Sequence, residues 1–207
     1  MRIIAGEFKG RVLRAPKGSN TRPTTDRVRE ALFSALSSAR GGFEGAVVLD
    51  AFAGSGALSL EALSRGAACA HLFERDRAAL DALNGNVRAL GLSPHRARVH
   101  RGDVFKDAPL RIRPPFDVVF LDPPYAYDAA EVLGMVARLG EAGALAEGAL
   151  VVYEHAASSG GSVDVAAAGS GLALASRKKY GDTVVDILRR AERREGAHPA
   201  ADGGGAP

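Results

Sequence analysis

Five short runs of β-branched and apolar residues recur along the chain: AVVLD (46–50), AHLFE (70–74), ARVHRGD (97–103), FDVVFLD (116–122) and ALVVYE (149–154). Helical patterns lie between them. Residues 57–65 stop at Gly66; residues 76–90 carry Leu80, Leu83, Val87 and Leu90 on one face and stop at Gly91; Asp128 caps a stretch bearing Val132, Leu133, Val136 and Leu139. Strand and helix alternating at this spacing predict a parallel sheet wound by right-handed crossovers, and ligands of such sheets bind at the carboxyl ends of the strands. The later stretch LALASRKKYGDTVVDILRR pairs two β-rich runs across Gly181-Asp182, a hairpin that adds an antiparallel strand. The preceding AASSGGSVDVAAAGSG reads as a loop of small residues.

The ends differ from this body. RIIAGEFKGRVLRAPKG (2–18) alternates around Gly6 and Gly10 like a β-hairpin arm, and TRPTTDRVREALFSAL (21–36) opens a helix near Asp26 with Val28, Leu32, Ala35 and Leu36 facing inward. Beyond Glu195, GAHPAADGGGAP has nothing to bury. The expected organisation is an arm over 1–20, one α/β domain over 21–195 and a disordered tail over 196–207. A chain of 207 residues fits one such domain, and no window holds the roughly 18 uncharged apolar residues of a membrane span. The start MRIIAGEFKG lacks the apolar segment of a signal peptide, and the single Cys69 cannot form an internal disulfide, so a reducing cytoplasm is expected; a monomer is expected as well. Cys69 itself reads as a small buried side chain. The five histidines lack metal-ligand spacing, and no metal is expected.

The formal net charge of +3 is unevenly spread. The first 29 residues hold eight Lys or Arg (Arg2, Lys9, Arg11, Arg14, Lys17, Arg22, Arg27, Arg29) against Glu7 and Asp26, a balance of +6 that leaves −3 for the rest. A concentrated basic segment is what binding to a phosphate backbone needs; a solvated basic surface is the plainer alternative.

LDAFAGSGALS (49–59) ends the first strand at Asp50 and enters a helix through Gly54 and Gly56. Glycines here let the backbone approach a ligand and point the free helix amides at it. A dinucleotide fingerprint needs Gly or Ala at position 59, where this chain has Ser59, and that disfavours nicotinamide or flavin. A carboxylate at Asp50 suits a ligand with a positive group rather than a pyrophosphate. The next strand ends at Glu74, where a carboxylate can accept from ribose hydroxyls, and the third ends at Asp103 beside the apolar Val104. Carboxylates after strands also cap helices, the plainer account of each one singly. Asn84 and Asn86 read as surface positions.

The order D-x-F-x-G-x-G (Asp50, Phe52, Gly54, Gly56), then Glu74, then Asp103, then D-P-P-Y (122–125) resembles the Rossmann-like, class I S-adenosylmethionine-dependent methyltransferases over roughly residues 1–190. The resemblance implies a seven-stranded sheet with one antiparallel strand. It also implies that Asp50, Phe52, Gly54 and Gly56 hold the methionine part of the cofactor, Glu74 the ribose, and Asp103 with the Val104 amide the adenine.

D-P-P-Y then has a chemical reading. An exocyclic base amine is a weak nucleophile because its lone pair is delocalised into the ring. Two acceptors on its hydrogens, the Asp122 carboxylate and the Pro123 carbonyl, would shift it toward a tetrahedral nitrogen, and the double proline holds them rigid. Tyr125 offers a face for an unstacked base, worth about 1–3 kcal/mol. The plainer reading of D-P-P-Y is a strand-ending turn. The N-terminal stretches resemble the bacterial small-subunit ribosomal RNA guanine-N2 methyltransferases. That resemblance implies 16S rRNA as substrate, with Arg2, Lys9, Arg11, Arg14 and Lys17 as RNA contacts, the segment from Arg22 to Arg29 closing over the cofactor and target base, and Thr24, Arg27 and Glu30 at the pocket rim. RKKYGD (177–182) is a further RNA-contact candidate or a solvated hairpin tip. Two other functions remain open: a DNA adenine-N6 methyltransferase, against which stands the lack of a target-recognition domain, and a non-catalytic RNA-binding assembly factor on the same fold.

Overall fold

The computed structural model describes residues 1–16, 26–124 and 126–190. Lys17, Arg22, Thr24, Tyr125 and the expected tail lie outside the described residues. Seven strands form one sheet: β1 (Val47–Asp50), β2 (Cys69–Glu74), β3 (Ala97–Arg101), β4 (Phe116–Leu121), β5 (Leu145–Ala156), β6 (Leu172–Tyr180) and β7 (Thr183–Arg190). Their order is β3-β2-β1-β4-β5-β7-β6. The first five run parallel, and β7 is antiparallel to both β5 and β6. The sheet thus has the expected seven strands, one of them antiparallel.

Helices cover both faces. One face carries α1 (Asp26–Arg40), α2 (Ala57–Ser64) and α3 (Arg77–Ala89), packed through Leu32, Phe33, Leu36, Leu60, Leu63 and Leu83. The other carries α4 (Val104–Asp107), α5 (Ala129–Glu141) and α6 (Gly160–Gly169), packed through Val104, Val132, Leu133, Val136 and Val163. The central strands β1 and β4 are buried on both faces, which is why they read as unbroken apolar runs. Helix starts follow the expected chemistry: Asp76 and Asp128 accept the Ala79 and Ala130 amides at 2.8 and 3.0 Å.

Two local expectations change. The small-residue stretch is a short 3₁₀ turn (Ala157–Ser159) followed by α6; its alanines tolerate helix, and Val163 with Ala167, one turn apart, give it a face to bury. A four-residue helix, α4, follows β3, which ends at Arg101 rather than at Asp103. On this second face a polar network fastens α6 to the hairpin: Asp186 on β7 accepts from Arg177 on β6 and pairs with His155 at 3.0 Å, and Arg177 reaches Asp164 on α6.

The N-terminal arm folds back on itself around an antiparallel bridge between Arg2 and Val12, with the Ile3 amide donating to the Arg11 carbonyl and the Gly10 amide to the Ile3 carbonyl, each at 2.9 Å, and the Leu13 amide to the Met1 carbonyl at 3.0 Å. It lies along α2. Ile3 and Leu13 are buried, and the fully buried Glu61 carboxylate accepts the Ile4 and Ala5 amides at 2.7 and 3.1 Å and the Arg65 Nε at 2.7 Å. The Ser64 carbonyl takes the Glu7 amide at 2.7 Å, and Ser64 Oγ takes the Phe8 amide at 2.9 Å. Gly6, at φ +85°, passes so close to the Ser64 carbonyl that a Cβ would collide with it. Glu61→Ala would strand the Arg65 cation and two amides; a loss of about 3 kcal/mol in urea unfolding is expected, with faster hydrogen exchange at Ile4 and Ala5.

Candidate active site

The expected site residues of β1 to β4 converge at the carboxyl edge of the sheet. β1 hands over to α2 through a turn that needs left-handed backbone at Gly54 (φ +53°) and at the N-cap Gly56 (φ +83°). A Cβ on Gly56 would also run into Leu83, so the tight turn and the α3 packing both demand glycine there. The Gly54 amide donates to Glu74 Oε2 at 2.8 Å. Glu74 Oε1 accepts the Arg75 and Asp76 amides at 2.7 and 2.8 Å. One carboxylate therefore ties the glycine turn to the β2–α3 loop, and three of its roughly four acceptor positions are taken. Room remains for a further donor.

Asp50 points inward. It is 2% exposed and accepts Ser59 Oγ at 2.8 Å, so Ser59, the residue that spoils the dinucleotide fingerprint, serves the acid of β1 instead. Burial, with the nearby Glu74 charge adding to it, pushes Asp50 up to about 7. Asp103 is engaged as the N-cap of α4, accepting the Phe105 amide at 3.0 Å, and Val104 is buried behind it. Here the capping reading of a strand-end carboxylate holds.

Asp122 follows β4 directly. Strand register places it beside Glu154, because Leu121 pairs with Tyr153 on β5, and two residues beyond Phe120, the partner of Asp50. The residue itself is exposed, so the crowding around it comes from walls rather than a lid. That desolvation, reinforced by Glu154 and Asp50, raises its carboxyl to about 7. Pro123 beside it is buried and Pro124 exposed, while Tyr125 lies outside the described residues.

Several residues escaped the sequence. Half-buried Phe52 meets Phe105 and Tyr127, each at 5.9 Å between ring centroids, Phe105 and Tyr127 are 5.0 Å apart, and Arg75 lies 5.6 Å over the Tyr127 ring. These rings line the side of the site toward β3. Phe52 stands in the sequence motif itself, and of the other two rings only Phe105, next to Asp103-Val104, carried a positional hint. Asn86 is 1% exposed rather than a surface residue. Its amide donates to the Ser55 and Arg14 carbonyls at 2.9 and 3.0 Å, and its Oδ1 accepts the Arg14 amide at 2.8 Å, clamping the arm to the glycine turn. Buried Arg29 ties the arm to α1 through the Arg2 carbonyl and Asp26, and among the described residues its Nε and Nη1 have no partner.

The basic candidates lie on the arm and on α1, with the Arg14 main chain held at the glycine turn through Asn86. Arg2, Lys9, Arg11 and Arg14 are exposed on the arm, and Arg27 is exposed on the first turn of α1. Arg2 pairs with Asp26 at 3.3 Å.

Strand order, the glycine turn and the row of strand-end acids define a class I, Rossmann-like methyltransferase. Within that class the chain belongs to the family described as Conserved hypothetical protein 95, whose model matches residues 1–189. It is 41% identical over 160 residues to Ribosomal RNA small subunit methyltransferase D of Escherichia coli (strain K12), covering 77% of either chain. It is 35% identical over 192 residues to the candidate rRNA methyltransferase YlbH of Bacillus subtilis (strain 168), covering 92% of this chain and 99% of that one. A solved structure of the candidate methyltransferase yhhF from Escherichia coli matches with a TM-score of 0.74 at 33% identity, over 92% of this chain and 98% of that one.

Asp50 is protonated in the folded protein through a range where the unfolded chain is already ionised, so it lowers stability as pH rises from about 4 to about 7. Asp50→Asn keeps an acceptor for Ser59 without the charge. Its unfolding free energy should match wild type near pH 4 and exceed it by at least about 1 kcal/mol at pH 8 in denaturant titrations.

Proposed function

We propose that this protein transfers a methyl group from S-adenosylmethionine to the exocyclic N2 amine of a guanine in 16S rRNA, in the small subunit or an assembly intermediate in the cytoplasm. The observation that carries the reading is Asp122 and Pro123 at the tip of β4, set one strand away from the glycine turn of β1. The family's relatives named for small-subunit RNA support the substrate.

The residues fit the cofactor on two counts. The turn exposes helix-start amides where only glycine is accommodated, and the acids Asp50 and Asp122, both raised to about 7, form a negative centre that a cation would relieve. Asp50, Phe52, Gly54 and Gly56 would hold the methionine part, Glu74 the ribose, and Asp103 with the Val104 amide the adenine, next to the ring group Phe52, Phe105 and Tyr127. When bound, S-adenosylmethionine supplies a methyl on positively charged sulfur, which departs as a neutral thioether.

The chain's part is to prepare the amine. The ionised Asp122 carboxylate and the Pro123 carbonyl accept its two hydrogens, drawing the lone pair out of conjugation, and prolines on both sides of that carbonyl's peptide keep its position fixed. Tyr125 supplies the stacking face. After transfer the nitrogen carries a surplus proton, and a carboxyl near 7 can take it. A protonated Asp122 offers a donor where an acceptor is needed, so activity falls as pH drops through the pKa of Asp122, at or below about 7 once a cation is bound. Arg2, Lys9, Arg11, Arg14 and Lys17 would meet the RNA backbone, and Arg22, Thr24 and Arg27 would act on the target base.

Methyl-labelled cofactor incubated with small subunits from cells lacking this protein should yield N2-methylguanine on nucleoside analysis. Label in DNA adenine, or none in any subunit intermediate, would overturn the reading. Asp122→Ala should lower the rate by about 10²–10³-fold while leaving RNA retention on filters nearly intact. Lys9→Ala and Arg11→Ala should each weaken subunit binding and flatten its salt dependence by about one unit of slope.

A further inference from the structure

The strand-end row on the α1 face continues past Asp122. β4 and β5 are parallel with Leu121 opposite Tyr153, so the next pair across is Asp122 and Glu154. Glu154 is opposite Val185 on β7, and Val185 is opposite Lys178 on β6. Val185 packs in the α1-side core, which puts its cross-strand neighbours Glu154 and Lys178 on that same face. Adjacent strands lie about 4.8 Å apart, so the two carboxyl groups can converge on neighbouring atoms of one flat ligand. Beyond Glu154 the row opens into a shallow cleft between α1 and the β6–β7 hairpin, lined by Leu32, Val185, Ile187, Tyr180 and Lys178.

Read along the row, the face offers acceptor, acceptor, an apolar gap and then a flexible cationic donor. The Watson–Crick edge of guanine presents the complement in order: the N2 amine, the N1–H donor and the O6 acceptor. Adenine presents an acceptor at N1, which a carboxylate repels. We propose that Glu154 is the residue that selects guanine, accepting N1–H while Asp122 accepts from N2, with Lys178 reaching O6. This rests on the proposed guanine-N2 chemistry. It also gives RKKYGD a role at the base in place of a generic backbone contact. The repulsion that Glu154 exerts on the Asp122 carboxyl agrees with the two lying side by side.

The test places 2-aminopurine, which keeps the N2 amine and exchanges N1–H for a lone pair, at the mapped target position of reconstituted small subunits. Wild-type protein should methylate guanine over 2-aminopurine by at least about 10²-fold in kcat/KM, since a site built for a hydrogen bond rejects the analogue that lacks it. Glu154→Gln carries both an oxygen and an NH₂ group, so it should hold guanine activity within about tenfold and bring the preference below about tenfold. 2-Aminopurine also lacks O6, so Lys178→Met should raise KM for guanine-bearing subunits and lower the preference in part, leaving the share set by Glu154. Equal use of both bases by the wild type, which needs no variant to fold, would overturn the assignment. So would an unchanged preference in a Glu154→Gln protein that still binds cofactor by calorimetry. Guanine-N2 transfer by the wild type in either case leaves the proposed function standing; its absence removes both.

Discussion

One carboxylate fixes the geometry on which the site is built. Glu74 draws the Gly54 amide toward β2 and holds the Arg75 and Asp76 amides with its other oxygen, so two loops from neighbouring strands share a single anchor. Without it the turn after β1 has no reason to keep left-handed backbone at Gly54, and the α2 amides lose their direction. The rest of the edge is measured from this point: Asp50 beneath it, the rings of Phe52, Phe105 and Tyr127 beside it, and Asp122 one strand away.

The acids of this edge work against one another. Asp50 is buried, and Asp122 is crowded and flanked by Glu154, so each ionises only near neutrality. A fold tolerates such a concentration of like charge where a ligand repays it, and a cationic centre with hydrogen-bond donors on its other side would do so. The arrangement also separates two tasks by strand. On the proposed function, β1 and β2 would hold the donor side and β4 and β5 would meet the acceptor side.

Much of this was legible in the sequence. Strand runs ending at or beside Asp50, Glu74 and Asp122 were short, apolar and punctuated by Gly, Pro or acid, so the strands and the sheet edge at which these acids gather followed from pattern. The hairpin across Gly181-Asp182 was equally plain. Residues whose role depends on tertiary pairing were not. Asn86 sits in a helix among polar residues and looks like surface until the arm folds over it; Arg29 reads as one more basic residue; Glu154 resembles the ordinary end of a strand until register sets it beside Asp122. α6 was missed because its glycines and serines obscure a face of only Val163 and Ala167. Glu74 closes β2 as expected and Asp103 lies two residues beyond the end of β3, and part of the bonding capacity of both is spent on backbone amides that no linear pattern reveals.

The manner in which the arm is fastened has a consequence for its freedom to vary. Glu61, Ser64 and Asn86 grip the main-chain groups of Ile4, Ala5, Glu7, Phe8 and Arg14 and touch none of their outward side chains. Apart from Gly6 and the side chains of Arg2, Ile3, Glu7, Phe8 and Leu13, posture is thereby set by peptide groups common to every residue, so exposed positions such as Lys9, Arg11 and Val12 are open to change without loosening the strap's seat.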